Sequence, residues 1–464
     1  MPNVVVTLTH TQKGEPKVFV KLGGEQSMPY TPKYINWTEN DYLSSDLKWC
    51  EPMTAHALED EEAQDNALTD DVNFIEEKFD GTRGILHFLN GECRVFSRRV
   101  SKKTNWFTEN TDSLPQMRLI CIPELEGTII DGEMFIPGKP FKDVSSTLNC
   151  KWDKAIERQL ELGQIVFHAF DILYYKGIKL ENMRLERRKY YLGKVIEKLN
   201  KAGYNSVVEV PYFKCEGKKS IPVKKSPNLL QLIRSLKDKY PTLYTETVMS
   251  KDPERLMLSP RGYYEYIVAN GGEGVIIKNK DFKYVHKRDK AYLKIKKFYT
   301  RECMLIGFTE PTKYYDGKFP DDRWDYWETP SGVEKMFPSD SAKDLLSKGY
   351  KPLTKFHYNK WVGNMRFGVL ITDKEIKKLS KSKKFTIHNM VLLNEDVKVL
   401  EVGECSGFDD DLRAKLSNSY LGHVIEVKCN EVFKDTGKLR HPRFLRFRED
   451  KNPEDCTYSN HISE

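Results

Sequence analysis

Strand-like runs alternate with turns over the first two thirds of the chain. Phe74 to Lys78, Gly84 to Leu89, Arg94 to Ser97, Ile129 to Ile136 and Gln164 to Leu173 are rich in β-branched and aromatic residues. Between them, Leu185 to Lys201 predicts an amphipathic helix, with Leu185, Tyr190, Leu192, Val195, Ile196 and Leu199 close to helical spacing. Leu229 to Lys237 predicts another helix. After Lys297 the pattern changes to short strands and glycine turns, at Cys303 to Phe308, Arg366 to Thr372, Val397 to Val402, Val424 to Val432 and Arg443 to Phe447, which suits a small barrel. The expected fold class is therefore α+β, with largely antiparallel sheets flanked by helices.

Two features fall outside that scheme. Val4 to Leu8 and Val18 to Leu22, split by Lys13-Gly14-Glu15-Pro16, predict a β-hairpin within an extension covering residues 1–46. About Lys313 to Trp361, the aromatic-rich stretch holding Tyr314, Tyr315, Trp324, Trp327 and Trp361 reads as an insertion in the barrel. The expected domains are then 1–46, 47–297 and 298–464, the last with an insertion at about 313–361.

Composition narrows the function classes. A length of 464 residues allows two or three cores, and 39% hydrophobic with 31% charged residues is a soluble globular balance. No run reaches the roughly 18 apolar residues of a membrane span, and Met1 to Val6 lacks the basic and apolar regions of a signal peptide, so no membrane and a reducing cytoplasmic or nuclear setting are expected. Nine cysteines are scattered singly without a Cys-x-x-Cys pair, which argues against a structural zinc site and a disulfide framework. The net charge of +7 is modest, but basic residues cluster at Arg98 to Lys103, Lys214 to Lys225 and Lys374 to Lys384, as expected if a polyanion crosses one face. Any one such cluster is ordinarily a solvated face.

The candidate chemistry centres on Glu76-Glu77-Lys78-Phe79-Asp80-Gly81-Thr82-Arg83-Gly84, which places a lysine, a carboxylate, a glycine turn and an arginine in one span. A lysine amine attacks phosphorus only when unprotonated, and nearby cations or a metal favour that form. In Tyr292-Leu293-Lys294-Ile295-Lys296 the two lysines alternate, so in a strand they face one side. Apolar runs on both sides of Asp131-Gly132-Glu133 put Glu133 at the end of a buried strand.

Taken in order, Lys78 to Arg83, Ser97-Arg98-Arg99, Asp131-Gly132-Glu133, Phe170-Asp171-Ile172-Leu173, Glu273 to Lys278, Tyr292 to Lys296 and Arg448-Glu449-Asp450-Lys451 resemble the motif series of the covalent nucleotidyltransferases. That superfamily includes ATP-dependent DNA and RNA ligases and mRNA capping enzymes. The resemblance runs from about Glu51 to Lys451 and is most specific for ATP-dependent DNA ligases of a near-minimal, viral or bacteriophage type. It implies an adenylation domain followed by an oligonucleotide-binding (OB) barrel. The four-cysteine zinc module of NAD-dependent bacterial ligases has no counterpart here.

By the same resemblance, Lys78 accepts AMP from ATP, Glu76 reads the adenine amino edge, Arg83 and Glu133 hold the ribose hydroxyls, and Phe170 stacks on adenine, with Phe167 as its competitor. Asp80 orients its loop, Glu273 with Glu133 binds Mg²⁺ or Mn²⁺, and Lys294 and Lys296 address the α-phosphate, while Lys278 and Lys297 are expected to be surface charge. Arg98 would grip the 5′-phosphate of nicked duplex DNA, and Arg99 and Lys102 the neighbouring backbone. Arg448, Asp450 and Lys451 would orient pyrophosphate, which requires a hinge near Lys297 to Arg301. The insertion is expected to be a latch around the duplex or an extra packed lobe. A monomer is expected, in the host cytoplasm if the source is viral. Rival readings are an RNA ligase or mRNA guanylyltransferase and, from another class, a non-catalytic nucleic-acid-binding protein.

Overall fold

A computed structural model describes residues 4–11, 16–23, 25–215, 221–224, 248–249, 255–336, 340–379, 385–392 and 395–463. The predicted helix Leu229 to Lys237, the turn residues Lys13 to Glu15, and most or part of the basic clusters at Lys214 to Lys225 and Lys374 to Lys384 lie outside the described residues. The chain divides into two compact units, Met1–Lys296 and Lys297–Glu464.

Two sheets build the first unit. One runs Ile178–Lys179, Val166–Tyr175, Ile129–Phe135, Thr82–Leu89, Glu92–Val100, Phe107–Glu109 in spatial order, with Val207–Glu209 parallel to Val166–Tyr175. The other runs Tyr212–Lys214, Asn73–Lys78, Gly274–Asn279, Arg288–Lys296, Thr54–Ala57. The runs read as strands from their composition are strands here, and the helix Leu185–Lys201 has the predicted bounds.

In the five-stranded sheet, side-chain alternation separates core from site. Ile75, Val275, Ile277 and Ile295 point to one face and are buried with Leu68, Tyr263 and Ile267, which come from the helices Glu61–Thr69 and Pro260–Ala269. The other face is organised in rows by strand register: Lys78, Gly274 and Lys296; then Glu76, Ile276 and Lys294; then Phe74, Lys278 and Tyr292. Phe74 and Tyr292 pack with Ile85, Ile129 and Leu173 of the seven-stranded sheet, so this polar face looks toward that sheet. Lys278 is therefore not surface charge. Four residues beyond Gly274 on the same strand, it shares the site's face and is 3% exposed. Lys297 is exposed.

The inner stripe of the helix Leu185–Lys201 also differs from expectation. Leu185, Leu192, Val195, Ile196 and Leu199 are buried, but Tyr190 is exposed, and Arg188 and Lys189 are buried in its place. The two cations are turned inward by carboxylates of the sheets, described below.

At the front, Val4–His10 and Pro16–Leu22 pair antiparallel and Met28–Tyr30 adds a third strand. Val18, Val20 and Tyr30 pack on Ile156, Leu119 and Trp152 of the same unit. In the second unit the strands Ile387–Leu392, Glu395–Cys405, Met365–Leu370, Tyr299–Phe308, Val424–Cys429 and Arg443–Phe447 form one antiparallel sheet in that order. Apart from the first, an added edge strand, this is the 3-2-1-4-5 neighbour order of a partly open Greek-key barrel, the OB arrangement. Phe367, Leu400, Val402, Ile425 and Val427 fill its interior. Between Tyr299–Phe308 and Met365–Leu370 the chain builds a separate three-stranded sheet with its own core around Trp327, Ala342 and Leu345. Most of its tryptophan surface thus goes into packing, as in the extra-lobe reading.

Candidate active site

Lys78 ends the strand Asn73–Lys78, and its register partner Gly274 carries no side chain to separate it from Lys296 on the third strand. Both lysines converge on Glu273, the residue before Gly274: Lys78 Nζ lies 2.5 Å from Glu273 Oε2, and Lys296 Nζ donates to Oε1. Gly274 has a φ of +142°, and a Cβ there would fall 2.1 Å from the Ile295 carbonyl oxygen, so a side chain at this position would displace the strand carrying Lys296. Lys294 flanks the group from the next row. Burial, with Lys296 and Lys78 adding to it, holds the Lys294 amine below its usual range.

The turn after Lys78 brings in the opposing sheet. A Cβ on Gly81 would lie 2.3 Å from the Met134 carbonyl oxygen and 2.9 Å from Glu133 Cγ, so only glycine lets this turn sit against the strand Ile129–Phe135. Asp80 stands in that turn. Glu133 thereby comes near Lys78. Burial pushes its carboxyl up to about 7, with Glu273 adding to the shift and Lys78 and Arg83 opposing it.

Arg83 faces Glu133 in strand register, yet its guanidinium makes a bidentate pair with Asp131, both contacts at 2.6 Å. Asp131 also accepts from the Tyr284 hydroxyl at 2.6 Å, and Tyr284 in turn accepts from the Met53 amide at 2.8 Å. Asp131 and Tyr284 are thus supports for Arg83 that the motif reading passed over. Asp131 sits inside a quoted motif, two residues before Glu133 and so on the same face, which is the signal that identifies it.

Phe170 is the unpaired residue of a β-bulge between Ala169 and Asp171. Its ring is partly exposed and lies 4.5 Å from the Arg83 guanidinium and 4.2 Å from Lys278 Nζ. Phe167 is fully buried against Gly84 and Gly132, a core residue. Behind Phe170, Lys278 Nζ pairs with Glu76 Oε2 at 2.6 Å, and Lys189 Nζ pairs with Glu76 Oε1 at 2.6 Å. Burial, reinforced by Lys189 and opposed by Glu76, pulls Lys278 down to about 8. Next to Lys189 on the helix, Arg188 grips Asp171 through two bonds of 2.7 and 2.9 Å. Burial alone would raise the Asp171 carboxyl, but Arg188 outweighs it and holds it below its usual range.

Lys78, Glu76, Arg83, Glu133, Phe170, Glu273, Lys294 and Lys296 therefore share one cleft between the two sheets of the first unit. Arg98 and Arg99, at the end of the strand Glu92–Val100, and Lys102 just beyond it are exposed. Arg448, Asp450 and Lys451 belong to the second unit. There Arg448 holds Asp450 in a bidentate pair of 2.7 and 2.8 Å and reaches Glu302 at 2.7 Å, while Lys451 lies 3.6 Å from Glu302.

Residues 52–216 match the family model of the ATP dependent DNA ligase domain. Over that stretch the chain is similar to ATP-dependent DNA ligases. A DNA ligase of Methanothrix thermoacetophila is 26% identical over 243 residues, covering 51% of this chain and 34% of that protein. DNA ligase 4 of Kluyveromyces lactis is 28% identical over 308 residues (62% of this chain, 29% of that one), and a Methanococcus maripaludis DNA ligase is 24% identical over 399 (84% and 56%). The chain thus spans between 29% and 56% of the length of these relatives. Among solved structures, a Lig E DNA ligase is 16% identical with a TM-score of 0.45, covering 86% of this chain and 100% of its own. The ATP-dependent ligase of bacteriophage T7 is 15% identical with a TM-score of 0.36, covering 86% and 98%. Among the described residues, no helix is long and apolar enough to cross a membrane.

Proposed function

We propose that the chain seals nicks in duplex DNA with ATP. Lys78 attacks the α-phosphorus and expels pyrophosphate, AMP passes from Lys78 to the 5′-phosphate of the nick, and the 3′-hydroxyl displaces AMP. The observation that carries this reading is the convergence of Lys78, Lys296 and Glu273 around Gly274, with Glu133 and Lys294 beside them. Phosphoryl chemistry of this kind is mostly positioning and charge stabilisation, which such a set of cations and carboxylates supplies.

Roles follow from position. Phe170 offers a ring to adenine, Glu76 its carboxylate to the base edge, and Arg83 with Glu133 their polar atoms to the ribose. Lys294 and Lys296 face the α-phosphate and stabilise its developing charge. Asp80 orients the turn that carries Lys78 to the cleft. Glu273 and Glu133 are two neighbouring hard oxygen donors, and no cluster of three His, Cys, Asp or Glu occurs among the described residues. Such a pair suits Mg²⁺ or Mn²⁺ shared with substrate phosphate rather than an all-protein cage. The ion, when bound, neutralises phosphate charge. Arg98, Arg99 and Lys102 hold the DNA backbone at the nick. Arg448, Asp450 and Lys451 act on pyrophosphate in the first step alone, with the chain near Lys297 to Arg301 as hinge.

The lobe at about 313–361 is the proposed latch on the duplex. Its two ends meet through Thr309 N to Asn364 O at 2.9 Å and Gly363 N to Thr309 O at 2.7 Å, so it can be excised as a unit. Excision should weaken nick binding and leave Lys78 labelling intact, and unchanged nick affinity counts against a latch. The working form is a cytoplasmic monomer, and a light-scattering mass of twice the chain would contradict that state. The whole reading is tested by intact mass after incubation with ATP and Mg²⁺, then by sealing of nicked DNA beside nicked RNA. Absence of added AMP on Lys78 overturns it.

A further inference from the structure

Glu76 is held more tightly than reading a base edge requires. It is 1% exposed, and each carboxylate oxygen has its own buried ammonium: Lys278 at 2.6 Å and Lys189 at 2.6 Å. Lys278 also touches the Phe170 ring and so belongs to the pocket. Lys189 does not. It lies outside every motif quoted above, on the inner face of the helix Leu185–Lys201, with its ammonium 4.5 Å from the Tyr212 ring. Tyr212 is the register partner of Glu76. Its helix neighbour Arg188 meanwhile fixes Asp171, the residue after Phe170. One turn of helix thus ties down the strand that carries the stacking ring and the strand that carries the carboxylate.

A carboxylate with a cation on each oxygen is a hydrogen-bond acceptor and not a donor. Without Lys189, one oxygen would be buried with no cation, and a proton taken up there would turn that oxygen into a donor. A 6-amino purine donates at its 6-position, and a 6-oxo purine accepts. The two states of Glu76 therefore prefer different bases. We propose that Lys189 is the positioning residue for base selection, acting through Glu76 to keep an acceptor at the edge of the Phe170 platform and so favour 6-amino over 6-oxo purine nucleotides.

The inference rests on the adenylation reading of the same pocket. It is tested on the full chain by single-turnover labelling with α-labelled ATP and α-labelled ITP, whose base has oxygen in place of the amino group. Lys189→Met should lower the ATP-to-ITP selectivity at least tenfold, through weaker ATP capture and not through the maximal labelling rate. Lys189→Arg, which keeps the cation, should recover most of the selectivity. A Lys189→Met protein with wild-type selectivity overturns the proposal. Should that variant fail to fold, as judged by circular dichroism, Lys189→Gln replaces it under the same criterion. Wild-type protein that takes label from neither nucleotide sinks the adenylation reading and this inference together, whereas labelled wild type with an unaffected variant sinks the inference alone.

Discussion

Two lysine and carboxylate clusters share one face of the five-stranded sheet, separated by two residues along the strand Asn73–Lys78. At its end, Lys78 and Lys296 meet Glu273, with side chains 21%, 17% and 15% exposed. Two residues back, Lys189 and Lys278 meet Glu76, with side chains 0%, 3% and 2% exposed. The pairings are chemically alike, but their access to water is not. An ion pair at the mouth of a cleft can exchange partners when a polyanion arrives, because solvent compensates each group in transit. A sealed one cannot do so without leaving a bare charge in low dielectric. The first cluster suits reaction and the second suits a fixed template.

The largest effect that would break this contrast is on activity. Lys78→Ala should lose AMP transfer by on the order of 10⁴-fold, equivalent to about 5 kcal/mol in activation free energy, while its urea midpoint stays near wild type. Persistent adduct formation, read by mass spectrometry, would place the nucleophile elsewhere. At the sealed end the effect should fall on stability. Arg188→Met removes the guanidinium paired with the fully buried Asp171 carboxylate, leaving it the Tyr292 hydroxyl and the Ile172 amide, and should cost about 3–5 kcal/mol. A urea midpoint equal to wild type would show that these two donors suffice for Asp171.

Glu133 connects the two regimes through pH. Its carboxyl rests at about 7 in the folded protein against an ordinary 4.5, so the folded state keeps a proton that the unfolded chain releases between those values. The contribution to stability is therefore full below pH 4.5 and is lost as pH rises through 7. Melting curves of Glu133→Gln should lack this part of the pH dependence. Enzyme labelling by ATP should rise with pH over the same window if the ionised form holds the ribose. An acid limb absent from wild type contradicts the role.

Smaller changes are expected at exposed sites. Lys451→Ala should reduce self-labelling by roughly one to two orders of magnitude, about 1.4–2.8 kcal/mol, while still sealing a nick that is already adenylated; equal loss in both assays contradicts the pyrophosphate role. Arg98→Ala should weaken nick binding a few-fold and lower the salt-dependence slope by about 1. An unchanged slope removes Arg98 from the phosphate contacts.

The contrast also explains which parts of the site were legible in the sequence. Lys294 and Lys296 stand in a motif whose strand alternation predicts a common face, and the register bears that out and adds Lys78 to the same face, whereas Lys78 and Glu273 are picked out only by the motif resemblance. The helix Leu185–Lys201 was legible in extent but not in detail. Apolar spacing favoured Tyr190 for the interior and left Arg188 and Lys189 outside, because periodicity counts a cation as solvent-facing unless its partner is known. Those partners, Asp171 and Glu76, come from distant strands that only the fold brings together. Lys278 was misread for the same reason. The barrel strands were visible from turn chemistry. The aromatic insertion was visible as a segment, but its separate core emerges only when Trp327, Ala342 and Leu345 meet.

The neck of that lobe has a practical side. Thr309 caps the junction three times, its amide bonding to Asn364, its carbonyl accepting from Gly363 and its hydroxyl accepting from the Asn364 amide at 2.8 Å. A junction so stitched behaves like a socket. Foreign modules whose termini lie equally close, such as a fluorescent reporter or a sequence-addressing DNA reader, could be plugged in between residues 310 and 363 without rethreading the strands on either side.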